Sequence, residues 1–132
     1  MKLRKILVVD DNIDFLNELH ETLSLSGYET ISVCNGKTVI EMAREIKPDI
    51  VLVDLKMDGM NGFEVAETLR DFPETKRIPV IAMSGYFASS GHSEIVRKHG
   101  FVSFLQKPFN PLDLVAQIEN AFADNSNSKT QP

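Results

Sequence analysis

Short continuous apolar runs alternate along this chain with stretches in which apolar residues recur every three or four positions. The runs fall near 4–10, 29–34, 49–54, 78–83 and 101–105, and polar or ionisable residues follow them. Runs of that length predict strands. Their near-continuous apolar character, as in Ile6-Leu7-Val8-Val9 and Ile50-Val51-Leu52-Val53, predicts burial on both faces, which a parallel sheet covered by helices on each side provides. Between the runs, helical spacing predicts one element after the Asp11-Asn12 cap, with Phe15, Leu19 and Leu23 inward and Gly27 at its end. A second places Val39, Ala43 and Ile46 inward and stops at Pro48, and a third, near 62–71, offers Phe63, Ala66 and Leu69. The last starts at Asn110-Pro111, a cap followed by proline at the first helical position, with Leu114, Val115, Ile118 and Phe122 inward. The fourth helix is convincing only from Ser93 to His99, closed by Gly100; the segment from Gly85 to His92 holds two glycines and two serines and is expected to be mobile. Strands alternating with helices in this way predict repeated βα units and an α/β doubly wound parallel sheet.

A length of 132 residues accommodates one domain, assigned to 1–123, while 124–132 is expected to be a disordered tail or the stub of a linker because it has no apolar side chain to bury. The net charge of −5 argues against nucleic-acid and anionic-membrane binding. The basic start, Met1 to Lys5, resembles the opening of an export signal, but the apolar run after it is four residues long and stops at two aspartates, so the chain is expected in the cytoplasm. The single cysteine, Cys34, has no internal partner and sits in an alternating segment, where it is expected as a small buried hydrophobe. His20, His92 and His99 lack ligand spacing and are expected at the surface, and Met42, Met57, Met60 and Met83 are expected in core and loop packing. No internal repeat, Gly-rich nucleotide fingerprint or membrane-spanning segment is present in the sequence.

The candidate chemistry lies where the strands end. In an open parallel sheet, ligands bind beyond the carboxyl ends of the strands. There the first run delivers Asp10-Asp11, the third Asp54, the fourth Ser84 and the fifth Lys107-Pro108. Taken singly these are ordinary: Asp-Asp reads equally as a helix cap, Ser84-Gly85 as a turn and Lys-Pro as an exposed lysine before a rigid turn. Taken together, three carboxylates on one edge repel one another unless a cation offsets them. An oxygen-only set of few ligands suits Mg²⁺, with Mn²⁺ as a substitute. A carboxylate beside such a metal is a competent nucleophile towards a phosphoryl group, Lys107 supplies a fixed positive charge for its oxygens and Ser84 a hydroxyl donor.

Val8-Val9-Asp10-Asp11-Asn12, the segment from Asp54 through Met57 and Met60 to Gly62, Met83-Ser84-Gly85 and Phe104-Leu105-Gln106-Lys107-Pro108-Phe109 together resemble the CheY-like receiver domain of two-component response regulators, over residues 4–123. The resemblance implies a flavodoxin-like (βα)₅ fold with strand order 2-1-3-4-5. It implies Asp54 as phosphoacceptor, Asp11, Asp54 and the Lys56 backbone carbonyl as Mg²⁺ ligands, and Asp10 acting through the metal's water. It further implies Ser84 as the switch hydroxyl, Lys107 as the phosphoryl-binding lysine, Phe104 as the aromatic that turns inward on activation, and a cis Lys107-Pro108 peptide. Asp58 stands where the family often has proline, and Phe101 where it usually has a small residue.

The function implied is a phosphorelay switch taking a phosphoryl group from a histidine kinase or phosphotransfer protein and signalling through an unknown downstream protein, as a monomer or a phosphorylation-dependent dimer. It is a phosphoprotein that catalyses its own phosphorylation and dephosphorylation without being classed as an enzyme. The output surface is expected on the fourth helix, fifth strand and fifth helix. No effector segment is recognisable, which leaves a stand-alone regulator or a domain of a longer protein. Three other classes bear on the same residues. A Mg²⁺-dependent phosphohydrolase generally needs a second acid two residues past its nucleophile, where this chain has Lys56; an FMN carrier needs a hydroxyl-rich loop where Asp10-Asp11 would repel phosphate; a degenerate receiver serving only as a binding module would not need the full residue set seen here.

Overall fold

The computed structural model describes residues 3–86 and 91–130, with side chains up to residue 123. Five strands, β1 (Lys5–Val9), β2 (Glu29–Val33), β3 (Ile50–Asp54), β4 (Val80–Ser84) and β5 (Ser103–Gln106), form one parallel sheet in the order β2-β1-β3-β4-β5. Five helices, α1 (Ile13–Leu25), α2 (Gly36–Ile46), α3 (Gly62–Leu69), α4 (His92–His99) and α5 (Pro111–Thr130), alternate with them. This is the doubly wound architecture and strand order expected.

Alternate residues of each central strand feed two separate cores. Ile6, Val8, Ile50, Leu52, Ile81 and Met83 meet α1 and α5 through Leu16, Leu19, Leu23, Leu114 and Ile118. Leu7, Val9, Val51, Val53, Val80 and Ala82 meet α2 and α3 through Val39, Ala43, Val65, Ala66 and Leu69. Burial on both faces is why these strands carry no polar alternation. β2, at the sheet edge, is only partly covered.

The caps fall where the side chains predict them. Asn12 accepts from the Phe15 N–H at the start of α1, and Asn110 accepts from the Leu112 N–H ahead of α5. Asn61 and Glu64 form a reciprocal capping box at α3. Helix α2 ends with Lys47 in the left-handed region, φ 54°, immediately before Pro48.

Four expectations are adjusted. Phe15, Ile46, Phe63 and Val115 are half-buried rather than fully inward. Cys34 is exposed, because β2 closes at Val33 and Cys34 falls in the turn before the Asn35 cap instead of continuing the strand. Helix α5 continues as backbone to Thr130 across most of the segment expected as a tail, since extending a formed helix requires no new nucleus. His92 and His99 are half-buried, His92 stacked on Phe104 and His99 tilted against Phe63, rather than standing at the surface. Of the segment expected to be mobile, 87–90 lies outside the described residues.

Candidate functional site

Register decides which side chains meet at the strand ends. Val9 pairs with Val53, so Asp10 and Asp54, each one residue further, emerge side by side. Asp54 is level with Met83, and Ser84 with Gln106, which brings Ser84 and Lys107 to the same edge. The Lys107 N–H donates to the Ser84 carbonyl at 3.0 Å and extends that pairing by one residue.

Asp10 is fully buried. Its Oδ1 accepts from the Asn12 N–H at 3.0 Å, and its Oδ2 lies 2.5 Å from the Lys107 ammonium. Asp54 is also buried; its Oδ2 lies 3.6 Å from Lys107 Nζ, and its Oδ1 accepts from the Lys56 N–H at 3.3 Å. Asp11 is exposed at the rim. Burial pushes the Asp54 carboxyl above the ordinary aspartate range, Asp10 and Asp11 push in the same direction, and Lys107 and the Lys56 N–H do not fully offset them.

A cleft of about 380 Å³ opens over these groups, with Asp10, Asp11, Asp54 and Lys107 among the residues lining it and Lys56 and Tyr86 on its wall. The Lys56 ammonium stands 4.0 Å from the centre of the Tyr86 ring, so the two loops touch across the cleft. One carboxylate oxygen from each of Asp10, Asp11 and Asp54 lies within 4.8 Å of the others. The donor set is all oxygen, carries excess negative charge despite Lys107 and is open to solvent, which fits a hard divalent ion that retains water, Mg²⁺ or Mn²⁺.

Ser84 is fully buried at the end of β4, but its hydroxyl accepts from the Tyr86 N–H at 3.1 Å. Phe104 is half-buried on β5 and stacks on His92 of α4, with ring centres 3.7 Å apart. The Lys107-Pro108 peptide is cis. Asp10, Asp11, Asp54 and Lys107 thus form one cluster, Ser84 adjoins it, and Phe104 lies at the α4 side.

Two contributors escaped the sequence reading. Gly62 opens α3 directly over the end of β3: a Cβ there would come within 2.5 Å of the Asp54 carbonyl, so the closeness that fixes the Asp54 backbone requires glycine. Its signals were its place at the end of the motif that starts at Asp54 and a glycine inside a capping box, where a helix former is preferred. Phe15 lies under the Lys107 ammonium, 4.1 Å from it, and nothing in the helical spacing of α1 marks that contact.

The family model for the response regulator receiver domain matches residues 6–119. The polar-differentiation response regulator DivK of Brucella anthropi is 32% identical over 121 residues, covering 92% of this chain and 98% of DivK. The chemotaxis response regulator CheY4 of Vibrio cholerae superposes with a TM-score of 0.82 at 27% identity, over 90% of this chain and 98% of CheY4. The receiver domain of the sensor histidine kinase PA1611 from Pseudomonas aeruginosa, whose structure has a magnesium ion coordinated in the active-site cleft, shares the fold with a TM-score of 0.81 at 23% identity, over 90% and 97% of the two chains.

Proposed function

The chain belongs to the response regulator receiver domain family, whose members serve phosphorylation-dependent two-component signalling, and from that premise we propose that Asp54 is its phosphoacceptor. The observation that carries this reading is the placement of Asp54: a buried carboxylate at a strand end, flanked by two acids and 3.6 Å from a lysine ammonium. The donor is the phosphohistidine of a histidine kinase or phosphotransfer protein in the cytoplasm. An Asp54 carboxylate oxygen forms the new P–O bond as the P–N bond breaks, and the departing imidazole takes up a proton. Asp10, Asp11, Asp54 and the Lys56 carbonyl would hold Mg²⁺, which when bound offsets the charge of both the carboxylates and the incoming phosphoryl group.

The protein's own side chains do the rest. Lys107, now shared by Asp10 and Asp54, turns to the phosphoryl oxygens. The Ser84 hydroxyl has a proton to donate to them, which draws the loop through Tyr86 towards the site. Phe104 then leaves its stack on His92 for the space vacated, and α4 shifts with it. For one modification to drive this, the two states must differ by only a few kcal/mol beforehand. A downstream protein reads the α4–β5–α5 surface. The domain catalyses its own phosphorylation and is a switch rather than an enzyme.

Incubation with acetyl phosphate and Mg²⁺, followed by intact mass, tests the assignment: one phosphoryl group is expected on the parent and none on Asp54→Asn. Equal labelling of the two would refute it.

A further inference from the structure

We infer that Phe15 is a positioning residue for Lys107, an uncharged clamp that keeps the ammonium aimed at the phosphorylation site; the inference rests on the reading of Lys107 as the phosphoryl-binding cation. Among the described residues the ammonium has three partners: Asp10 at 2.5 Å, Asp54 at 3.6 Å and the Phe15 ring, whose centre is 4.1 Å from Nζ. The ring is itself braced edge-on by Phe109, with centres 5.8 Å apart and planes at 79°, and Phe109 stands two residues beyond Lys107 on the same loop. A single bracket therefore ties α1 to the lysine and to the loop carrying it.

The partners differ in how they respond to the reaction. A cation bound near Asp10 weakens that carboxylate's hold on the ammonium, and phosphorylation turns the Asp54 carboxylate into an acyl phosphate whose charge lies on the phosphoryl oxygens instead. The attraction of an aromatic face for an ammonium depends on neither. Lysine has a flexible four-carbon stem, so with its carboxylate contacts weakened it needs some other restraint. The ring also lines a groove of about 250 Å³ with Phe109, Glu18 and Glu21. A purely structural role would need only apolar bulk on a half-buried face of α1, and leucine would serve it as well.

The test compares Phe15→Leu and Phe15→Tyr with the parent in acetyl phosphate labelling, alongside Mg²⁺ affinity and the NMR shift of the Lys107 ε-methylene protons, identified by their loss in Lys107→Ala. Phe15→Leu should label about 3- to 30-fold more slowly, the range a cation–π contact spans, while Phe15→Tyr stays within about twofold of the parent. Mg²⁺ affinity should be the same in all three. In the unmodified parent the Lys107 ε-methylene protons should lie upfield, over the ring face, and return to their ordinary position in Phe15→Leu. Parent-like labelling by Phe15→Leu, equal slowing by Leu and Tyr, or an unshifted Lys107 signal in the parent would each overturn the clamp. Should Phe15→Leu not fold, the parent's Lys107 signal decides alone. Failure of the parent to label would count against the Asp54 assignment and leave the clamp to be judged by that same signal.

Discussion

Helices α3 and α4 are each eight residues long, yet they are held in opposite ways. α3 begins in a reciprocal capping box and buries Gly62, Val65, Ala66 and Leu69, with Gly62 seated on the Asp54 carbonyl. α4 has no side-chain cap bond and no buried residue. It is attached by partly buried Ile95 and Val96 on the core, by the stack of His92 on Phe104, by His99 lying 4.6 Å from the Phe63 ring, and by the Arg70 guanidinium of the α3 end, which donates to the His99 carbonyl. The first arrangement resists displacement because moving it opens a cavity. The second rests on two partly buried side chains, ring contacts and a charged hydrogen bond that can be exchanged for others. Segments with little buried apolar area occupy the low end of the local stability range, where moving elements are found. The difference separates a firmly packed region, which holds Asp54, from a more loosely held one.

The largest expected effect is on stability. Leu69→Ala should cost about 2–5 kcal/mol in urea denaturation, against about 1 kcal/mol or less for the half-buried Ile95→Ala on α4. Equal losses would erase the distinction between the helices. Next in size is the glycine pair: Gly62→Ala places a methyl against the Asp54 backbone and should cost about 1–3 kcal/mol, whereas Gly91→Ala at the start of α4 meets nothing within 4 Å among the described residues and should change stability by less than about 0.5 kcal/mol.

A smaller effect concerns the charge that the firmly packed region keeps buried. The folded-state pKa of Asp54 is raised, so folding penalises its ionised form; the penalty is complete above that raised pKa and fades as the pH falls through it. Without Mg²⁺, Asp54→Asn should therefore raise the thermal midpoint by a few degrees at neutral pH, and the advantage should shrink on acidification. A gain that grows as the pH falls would contradict the sign.

The smallest effect lies at the contact of Lys56 with Tyr86. Neither side chain is a carboxamide or carboxylate that could orient water for attack on phosphorus, and the ring and ammonium together narrow the approach. Self-dephosphorylation should be slow, and Lys56→Asn combined with Tyr86→Glu should shorten the lifetime of the phosphorylated protein severalfold. Unchanged or slower decay in the double variant would show that the pair does not restrain hydrolysis.

Much of this was legible in the chain. Periodicity is local: four apolar residues in a row such as Ile6 to Val9 must be covered on both faces wherever they end up, and Asn12 and Asn110 cap whatever helix follows them. The element order and the residues at the strand ends follow from that alone, and the family's motifs supplied the strand order and the cis Lys107-Pro108 bond. What periodicity does not contain is which side chain a neighbour meets across the sheet. Lys107 lies 2.5 Å from Asp10 across 97 positions of sequence, and its contact with Phe15 has no counterpart in the spacing of either segment. Ser84 sits at the edge its sequence position implies, yet its hydroxyl is taken by Tyr86. The exposure of Cys34 and the ring contacts of His92 and His99 were likewise settled by where β2 closes and how α4 leans on β5 and α3. Amphipathic pattern selects the elements because burial acts on each residue separately; partners were decided only by packing, because a contact belongs to two residues at once.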